Sequence, residues 1–365
     1  MGTDLLYIVS TLRRSGPTNQ LYYILKYLDE EFDATVLTLS PEPEDTELPR
    51  FRNLDITYDT LGLSRVEGVT IGPKRLRSVV SKHDPDVIHT QGIRADTLSA
   101  AFLSKYPRVT TIRNYPYDDY PAKFGKLQGT AMAWEHLRVF NRLDQPVACS
   151  KTIAGMVEPH GIDAVPIQNG VDHHKFTPPT DSRKKELRRE LELPEEKRIF
   201  VSVGSLIPRK DPELLIRGFV QSDLSDSLLL FLGDGPLRES CEELARTTSS
   251  IKFKGWVENV NEYLQAADYF VTASHSEGLP NAVMEALSTG LPVCLSDIDP
   301  HRELVTSHTE GVFFEIGKRD NLEKALHTLV NSDYERNSNL ARDTAVNQLS
   351  AEHMSHEYQQ IYNRY

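Results

Sequence analysis

The stretch YFVTASHSEGLPNAVMEALSTGLPVCL, residues 269–295, carries the pattern on which the fold prediction rests. It begins with an apolar run at Tyr269–Thr272, passes through a polar turn that contains Gly278 and Pro280, and continues as an amphipathic segment. A second apolar run follows at Pro292–Leu295. A strand, a helix and a strand in this order form the repeating unit of a parallel sheet that is covered by helices.

The same alternation extends over both halves of the chain. Apolar runs that predict strands occur at Leu5–Ser10, Ala34–Leu39, Asp86–His89, Val109–Ile112, Val147–Cys149, Phe200–Val203, Leu228–Leu232 and Ile251–Phe253, with helical patterns between them. We therefore predict two Rossmann-like, doubly wound α/β domains, residues 1–178 and 179–349, with a C-terminal helix at about 350–365 packing back on the first. Ligands bind at the carboxyl ends of the strands in such sheets, so we expect two crevices that face each other.

Length and composition are those of a folded, acidic protein. The chain has 365 residues, which suits two domains, and a net charge of −12, which argues against a nucleic-acid partner. Its 3 cysteines are scattered singly, so neither a disulfide framework nor a thiolate zinc site is predicted. The N-terminal apolar run is too short for a signal segment or a membrane span. These features predict a cytoplasmic protein.

The turn before the predicted helix is a candidate anion site. The main-chain N–H groups around Gly278, Leu279, Asn281 and Ala282 would point out of the helix N-terminus, with Pro280 in the first turn. Two carboxylates flank this site, Glu277 in the turn and Glu285 inside the helix. They could accept hydrogen bonds from sugar and ribose hydroxyls, but their spacing fits equally well with carboxylates that only stabilise the helix dipole.

A second strand–loop–helix segment is VGSLIPRKDPELLIRGF, residues 203–219. Gly204 follows the strand, and Arg209 and Lys210 lie in the loop, where two adjacent cations could neutralise a leaving diphosphate. Taken alone, an Arg–Lys pair is more often solvated surface. No DxD cluster appears at a strand end, so we predict neither a metal requirement nor a cofactor, and the tandem His173 and His174 lack suitably spaced carboxylates.

Together these segments resemble the E-x7-E region and the phosphate-binding loop of glycosyltransferase family 4, a retaining family with the GT-B fold. The resemblance covers most of the chain and is strongest from residue 200 to 300. It implies that Glu277 contacts the donor sugar or its leaving phosphate, that Glu285 binds the ribose, and that Arg209 and Lys210 bind the donor phosphates. By the same resemblance, GDGPLRES and KGWVENV place Asp234, Trp256 and Val257 at the donor nucleotide.

The first half departs from the family pattern at the loop after its first predicted strand. The loop STLRRSGPTNQ, residues 10–20, keeps Gly16 but lacks the usual glycine-rich form, and its Arg13 and Arg14 are candidate acceptor contacts. We expect Thr18 or Asn19 to cap the helix that follows.

Two residues at predicted strand ends of the first half complete the acceptor-side predictions. Many family members carry a histidine where this sequence has Arg113, which cannot shuttle protons and could only bind or stabilise. His89 is a weak acceptor-side candidate, because a histidine at a strand end more often belongs to the core.

We predict from this evidence a retaining, metal-independent glycosyltransferase that moves a sugar from a nucleotide diphosphate sugar, with UDP favoured, to a hydroxyl of a sugar or lipid-linked glycan. A nucleotide-sugar epimerase of the same fold and a non-catalytic sugar-nucleotide-binding protein stay open as alternatives. A dehydrogenase is disfavoured, since no GxGxxG follows the first predicted strand. The basic residues Lys74, Arg75, Arg77 and Lys82 could contact an anionic membrane surface, or could simply form a solvated helix face.

Overall fold

The chain folds into two compact units in a computed structural model that describes residues 2–305 and 311–365. The N-terminal unit comprises Met1–Gly170 and Ala351–Tyr365, and the C-terminal unit comprises Val171–Ser350. The crossover lies eight residues before the predicted position of 178/179, because Val171 pairs with the end of the C-terminal unit: its N–H donates to the Leu349 carbonyl at 2.8 Å. The prolines at 178 and 179 therefore follow the boundary.

The N-terminal unit contains a seven-stranded sheet in the order β3-β2-β1-β4-β5-β6-β7. Its neighbouring strands run parallel. The strands are β1 (Thr3–Val9), β2 (Phe32–Thr38), β3 (Thr57–Thr60), β4 (Val87–Gln91), β5 (Arg108–Ile112), β6 (Gln145–Ala148) and β7 (Val165–Pro166). The sequence patterns missed β3 and β7, which are short strands at the two edges of the sheet.

Helices cover both faces of this sheet. They are α1 (Gly16–Lys26), α2 (Leu48–Phe51), α3 (Arg65–Thr70), α4 (Gly72–His83), α5 (Ile93–Phe102), α6 (Pro116–Phe124), α7 (Lys126–Phe140) and α8 (Lys151–Val157). Strand β1 shows why both faces need cover, because its buried side chains alternate between two clusters. Leu6 and Ile8 pack with residues of α4 and α5, whereas Leu5, Tyr7 and Val9 pack with residues of α1 and of the C-terminal helix.

That C-terminal helix, α17 (Ala351–Tyr362), returns to the N-terminal unit after the chain has built the C-terminal one. Tyr358 and Tyr362 are buried against the sheet, and Ser355 donates its hydroxyl to the Ile24 carbonyl of α1 at 2.7 Å. The Gln359 amide donates to the Tyr27 carbonyl at 3.0 Å. Helix α17 is therefore an integral part of the N-terminal core.

The C-terminal unit contains a six-stranded sheet in the order β10-β9-β8-β11-β12-β13. Its strands are β8 (Arg198–Val203), β9 (Ser227–Leu232), β10 (Ile251–Gly255), β11 (Tyr269–Thr272), β12 (Val293–Ser296) and β13 (Gly311–Phe314), all paired in parallel. Its helices are α9 (Asp181–Glu190), α10 (Pro212–Gln221), α11 (Arg238–Ala245), α12 (Val260–Ala266), α13 (Asn281–Ser288), α14 (Asp299–Leu304), α15 (Arg319–Val330) and α16 (Tyr334–Gln348). The sequence patterns missed β13, again an edge strand.

Two apolar clusters fill the two faces of this second sheet. Ile199 and Val201 of β8 pack with residues of α9, α12 and α13, and Phe200 packs on the opposite face with residues of α10 and α15. The order of the sheet places β8 at the centre, between β9 and β11. Because parallel strands end at the same edge, the loops after these three strands are neighbours. Among residues 2–305 and 311–365, no helix has the length and apolarity to cross a bilayer.

Candidate active site

The loop after β8 holds two cations at the carboxyl end of the sheet. Strand β8 ends at Val203, and a short 3-10 helix, Pro208–Lys210, then presents Arg209 and Lys210. Gly204 has φ of 145°, a conformation that favours glycine, and a Cβ placed on it would lie 3.5 Å from Lys210 Cε. Glycine is therefore favoured here by the backbone conformation, since a Cβ would make only an ordinary contact with Lys210.

Asp211 ends the loop and starts the next helix. Its φ is 44°, and its carboxylate accepts a hydrogen bond from the Leu214 N–H of α10 at 3.2 Å, as a helix cap does. The other carboxylate oxygen lies 2.9 Å from His275 Nε2, in the loop after β11. A main-chain hydrogen bond of 2.8 Å from His275 N–H to the Arg209 carbonyl joins the same two loops. The sequence patterns did not reveal this pairing, because Asp211 and His275 are far apart in the chain.

The loop after β11 leads into α13, as the sequence predicts. Helix α13 runs from Asn281 to Ser288 and consists mainly of good helix formers, with Val283, Met284 and Leu287 buried. Pro280 is the residue just before the helix, with φ of −76° and ψ of 111°, rather than a residue of its first turn. The candidate main-chain donors therefore do lie at a helix N-terminus.

Glu277 joins the two loops in an ion cluster. Its Oε2 accepts from Arg209 Nη1 at 2.9 Å, and its Oε1 accepts from Lys210 Nζ. Arg209 also donates to the Ser276 carbonyl. The Glu277 side chain is only 8% exposed, so the carboxylate and both cations interact in a largely dehydrated setting. The structure thus brings together the three residues predicted as catalytic.

The charges in this cluster are fixed by their surroundings. Burial alone would raise the pKa of Glu277, but Lys210, Arg209 and the hydrogen bonds from Lys210 and Ser274 outweigh burial and lower the pKa to about 2. Glu277 is therefore a carboxylate at neutral pH. Two cations face one carboxylate, which leaves this cluster with an excess positive charge before any ligand binds.

A buried histidine is linked through Ser296 to the loop after β11. His301 Nδ1 donates to the Ser296 carbonyl at 2.7 Å, and the Ser296 hydroxyl donates to the Ser274 carbonyl at 2.6 Å. Burial lowers the pKa of His301 to about 4, with smaller opposing effects from Ser296 and Glu277. This histidine is neutral at pH 7 and adds no charge to the cluster.

The other residues predicted to bind the nucleotide-sugar donor lie mostly on adjoining turns. The Leu206 N–H donates to the Asp234 carbonyl at 3.0 Å, which joins the turn after β9 to the loop that carries Arg209. The Gly233 N–H donates to the Gly255 carbonyl at 2.7 Å, which brings in the turn that precedes Trp256 and Val257. The Trp256 side chain is 54% exposed, whereas Glu285 is half-buried on α13.

The N-terminal unit places the predicted acceptor-side arginines in ion pairs. Arg13 Nε lies 2.8 Å from Asp45 Oδ2, and Arg14 Nε pairs with Glu47 at 2.5 Å. Gly16 is the first residue of α1, and the cap is Ser15, whose hydroxyl accepts from the Thr18 N–H at 3.2 Å. The predicted caps, Thr18 and Asn19, are wrong, because α1 starts at Gly16 and its cap therefore lies three residues before Thr18.

His89 does not fit the acceptor-side prediction. The residue is 2% exposed, and its ring nitrogens lie 2.8 Å from the Tyr362 hydroxyl and 2.8 Å from the Thr111 hydroxyl. Tyr7 and Tyr358 complete this polar cluster under α17. Both nitrogens already have partners inside the core, so His89 anchors the C-terminal helix and cannot reach a substrate.

Arg113 lies just beyond the end of β5 and is half-buried. Its Nε donates to Gln91 Oε1 at 2.8 Å, and its Nη1 donates to Asn169 Oδ1 at 2.7 Å. Gln91 ends β4, and Asn169 belongs to the segment that leads out of the unit. The structure therefore places Arg113 at the carboxyl edge of the first sheet, which is the predicted position.

Two family models match almost the whole chain. One, described as "Glycosyl transferases group 1", matches residues 183–345, and the other, described as "Glycosyltransferase Family 4", matches residues 14–175. A sequence relative is the UDP-Gal:alpha-D-GlcNAc-diphosphoundecaprenol alpha-1,3-galactosyltransferase of Escherichia coli. It is 29% identical over 269 residues, which cover 69% of this chain and 68% of the relative. These matches give no support to the epimerase alternative.

Solved structures share the architecture over the full length. Anabaena Alr3699/HepE in complex with UDP and glucose superposes with a TM-score of 0.81 at 16% identity and covers 100% of both chains. Sucrose-phosphate synthase from Thermosynechococcus elongatus gives a TM-score of 0.83 at 16% identity over 99% of this chain and 98% of that one. At this identity the likeness shows the fold alone. The prediction of two Rossmann-like domains of the GT-B kind is confirmed.

Proposed function

This chain belongs to glycosyltransferase family 4, and from that premise we propose that it transfers a sugar from a UDP-sugar to a hydroxyl of a glycan or glycolipid. The observation that carries the proposal is the cluster of Arg209, Lys210 and Glu277 beside the N-terminus of α13. Its excess positive charge and the helix N-terminus both favour a diphosphate. The Escherichia coli relative, whose name gives a UDP-sugar donor and a lipid-diphosphate acceptor, supports this choice of substrates.

The proposed reaction proceeds with retention of configuration and without a metal ion. The bond between the anomeric carbon and the diphosphate oxygen breaks, and the acceptor oxygen forms its bond to that carbon on the same face. The acceptor proton passes to an oxygen of the departing diphosphate, so no separate protein base is required. Arg209 and Lys210 stabilise the negative charge that develops on the leaving group, which is the role a divalent cation would otherwise have.

Glu277 has two parts in this scheme. Before the donor binds, it neutralises part of the charge on Arg209 and Lys210 and keeps both side chains at the end of β8. When the diphosphate arrives, the two cations are shared between the phosphate oxygens and the carboxylate. We propose that Glu285, which lies about one and a half turns inside α13, binds the ribose, as its position in the family motif implies.

A ligand screen followed by a transfer assay tests the proposal. We expect UDP to raise the melting temperature more than GDP or ADP does, since a ligand that binds only the folded state stabilises it. Arg209→Ala and Lys210→Ala should lose that increase and most of the turnover, while Lys252→Ala, at an exposed position of β10, should keep both. Wild-type turnover in the first two variants would refute the assigned roles, and binding without any acceptor-dependent release of UDP would indicate a non-catalytic protein.

The stereochemistry and the metal requirement need their own measurements. The anomeric configuration of the product, read by proton NMR at early reaction times, should match that of the donor. Turnover in excess EDTA should equal turnover in Mg2+, because Arg209 and Lys210 supply the positive charge. An inverted product, or a rate that returns only with added metal, would contradict this part of the proposal.

We also propose that the enzyme works at the cytoplasmic face of a membrane, with the N-terminal unit against an anionic surface. Helix α4 exposes Lys74, Arg75, Arg77 and Lys82, and each cation near such a surface contributes about 1 kcal/mol. The three cysteines are buried and form no disulfide in the described structure, which suits a reducing compartment.

Liposome flotation tests the membrane contact. The wild type should float with vesicles containing phosphatidylglycerol at low salt and less at high salt, because salt screens the attraction. Arg75→Glu combined with Lys82→Glu should abolish flotation, whereas Arg319→Glu, an exposed position in the C-terminal unit, should not. Flotation that is equal for all three proteins would rule out α4 as the contact.

A further inference from the structure

Arg113 is held in place by neutral groups. Its side chain donates to the amide oxygens of Gln91 and Asn169, at 2.8 and 2.7 Å. Asn169 is itself buried, and the neighbouring Gly170 exchanges hydrogen bonds with the Gln20 side chain of α1 at 2.8 and 3.0 Å. The Cys149 thiol donates to the Arg113 carbonyl at 3.2 Å. Both the backbone and the guanidinium of Arg113 are therefore fixed by the ends of β4, β5 and β6.

No described residue supplies a counter-ion for the positive charge of this side chain. Within the described part of the chain, no carboxylate forms an ion pair with Arg113, and Nη2 has no hydrogen-bond partner and is enclosed. Leaving a buried donor unsatisfied costs about 1 to 3 kcal/mol, and more when the group is charged. The charge and the Nη2 donor of Arg113 are therefore available to pair with an anionic ligand.

The neighbouring groups experience this charge. Burial, together with a smaller effect of the positive charge of Arg113, lowers the pKa of His89 to about 3. Arg113 also acts to lower the pKa of the buried Tyr358, against the larger effect of burial, which raises it. His89 is neutral at pH 7 as a result and contributes no second cation. Arg113 thus sets a positive potential at this end of the sheet.

We propose that Arg113 determines substrate specificity by binding an anionic oxygen group on a sugar substrate, either a carboxylate or a phosphate. This inference rests on the proposed function, because it assumes that a sugar substrate reaches the carboxyl edge of the N-terminal sheet. A guanidinium suits the task, since it is charged at every physiological pH and offers five N–H donors in a planar fork that matches both anions. Only two of these donors are engaged by Gln91 and Asn169.

Binding requires a small rearrangement. Because Nη2 is enclosed, an entering anion has to displace the side chains that cover it. The gain is a charge-assisted hydrogen bond for a donor that otherwise has none. A neutral hydroxyl would satisfy the same donor but would leave the charge uncompensated, so an anion is the preferred ligand.

The anion could belong to either substrate, and two experimental arms separate the sources. In the donor arm, the rise in melting temperature with UDP-glucuronic acid is compared with that for UDP-glucose, and UDP alone is the reference. In the acceptor arm, UDP release from a transferable donor is compared for octyl glucoside, octyl glucuronide and a prenyl-phosphate-linked sugar. Both arms use the wild type, Arg113→Gln, Arg113→Lys and, as a matched control, Arg142→Gln at an exposed position of the same unit.

We expect the wild type to favour the anionic substrate in one arm by roughly tenfold or more, which is the lower end of what a hydrogen bond to a charged group contributes. Arg113→Gln should abolish that preference, Arg113→Lys should restore part of it, and Arg142→Gln should leave it unchanged. The rise in melting temperature with UDP alone should persist in all variants, since UDP is assigned to the C-terminal unit.

Three results would overturn the inference. The first is that the wild type shows no preference for an anionic substrate in either arm. The second is that Arg113→Gln loses binding of, or turnover with, anionic and neutral substrates to the same extent. The third is a preference that survives in Arg113→Gln. If UDP itself fails to bind the wild type, the proposed function fails first, and this outcome is distinct from all three.

Discussion

The ion cluster at the end of β8 predicts a measurable coupling between Lys210 and Glu277. The pKa of Glu277 falls from 4.5 to about 2 on folding, even though burial acts to raise it. Each tenfold change in an acid dissociation constant corresponds to about 1.4 kcal/mol, so this lowering represents about 3 kcal/mol of stability at neutral pH. Because the folded pKa is the lower one, that stability is fully present above pH 4.5 and is lost as the pH falls toward 2.

Lys210→Met removes the larger of the two cationic contributions and preserves most of the side-chain volume. We expect it to lower the free energy of unfolding of the C-terminal unit by about 2 kcal/mol, because it leaves a buried carboxylate with only Arg209 as its partner. In a Glu277→Gln background the same substitution should cost under about 0.5 kcal/mol, since the charge it balanced is gone. Lys252→Met, on the exposed side of β10, is the control and should cost equally little in both backgrounds.

Urea unfolding followed by tryptophan fluorescence provides the assay. The chain has 2 tryptophans, and Trp256 belongs to the C-terminal unit. Replacing Trp134, which is 53% exposed in the N-terminal unit, by Phe leaves Trp256 as the reporter. If the losses in free energy of unfolding from Lys210→Met and Glu277→Gln simply add in the double variant, the reasoning is refuted. Additivity would mean that the two side chains do not stabilise each other.

Three further predictions concern the framework around the site. Gly204→Ala should lower turnover at least tenfold without unfolding the protein, because φ of 145° strains alanine and would displace the loop that carries Lys210; UDP-binding calorimetry checks the change at the site. Asp211→Ala should cost about 1 to 2 kcal/mol in urea unfolding, since it removes a helix cap at a residue with φ of 44°, and an unchanged midpoint would contradict this. Tyr362→Phe should cost about 1 to 3 kcal/mol in the N-terminal unit, followed by Trp134 fluorescence, because His89 Nδ1 loses its partner while UDP binding is unaffected.

The central strands and the edge strand β10 were predictable from sequence, whereas three other edge strands were not. Strands such as Tyr269–Thr272 are buried on both faces and appear as continuous apolar runs, which is why the predicted and observed bounds coincide there. The missed strands β3, β7 and β13 are all at sheet edges, where one side needs no partner and polar residues are tolerated. The helical pattern at residues 124–143 matches α7, which begins after Gly125, with φ of 81°, whereas the sequence patterns missed α6.

The site was predictable to the extent that its residues lie in local motifs. Arg209, Lys210 and Glu277 each follow a strand of one parallel sheet, so the rule about strand ends placed them at the same edge, and the family resemblance assigned them to one site. Contacts between distant segments carry no such signal. The burial of His89 depends on Tyr362, which lies 273 residues later and belongs to a helix whose packing partner cannot be read from its own sequence.

The path of the chain also has a consequence for how the protein is made. The first sheet leaves the ribosome before the C-terminal unit, yet α17, which covers Tyr7 and His89, is synthesised only after that unit. Domains generally fold as units during synthesis, so the C-terminal unit can finish folding before the N-terminal one has all of its parts. Until α17 is synthesised, the nascent N-terminal sheet exposes an apolar surface that α17 will later cover, and a protein truncated at residue 350 would keep that surface exposed permanently.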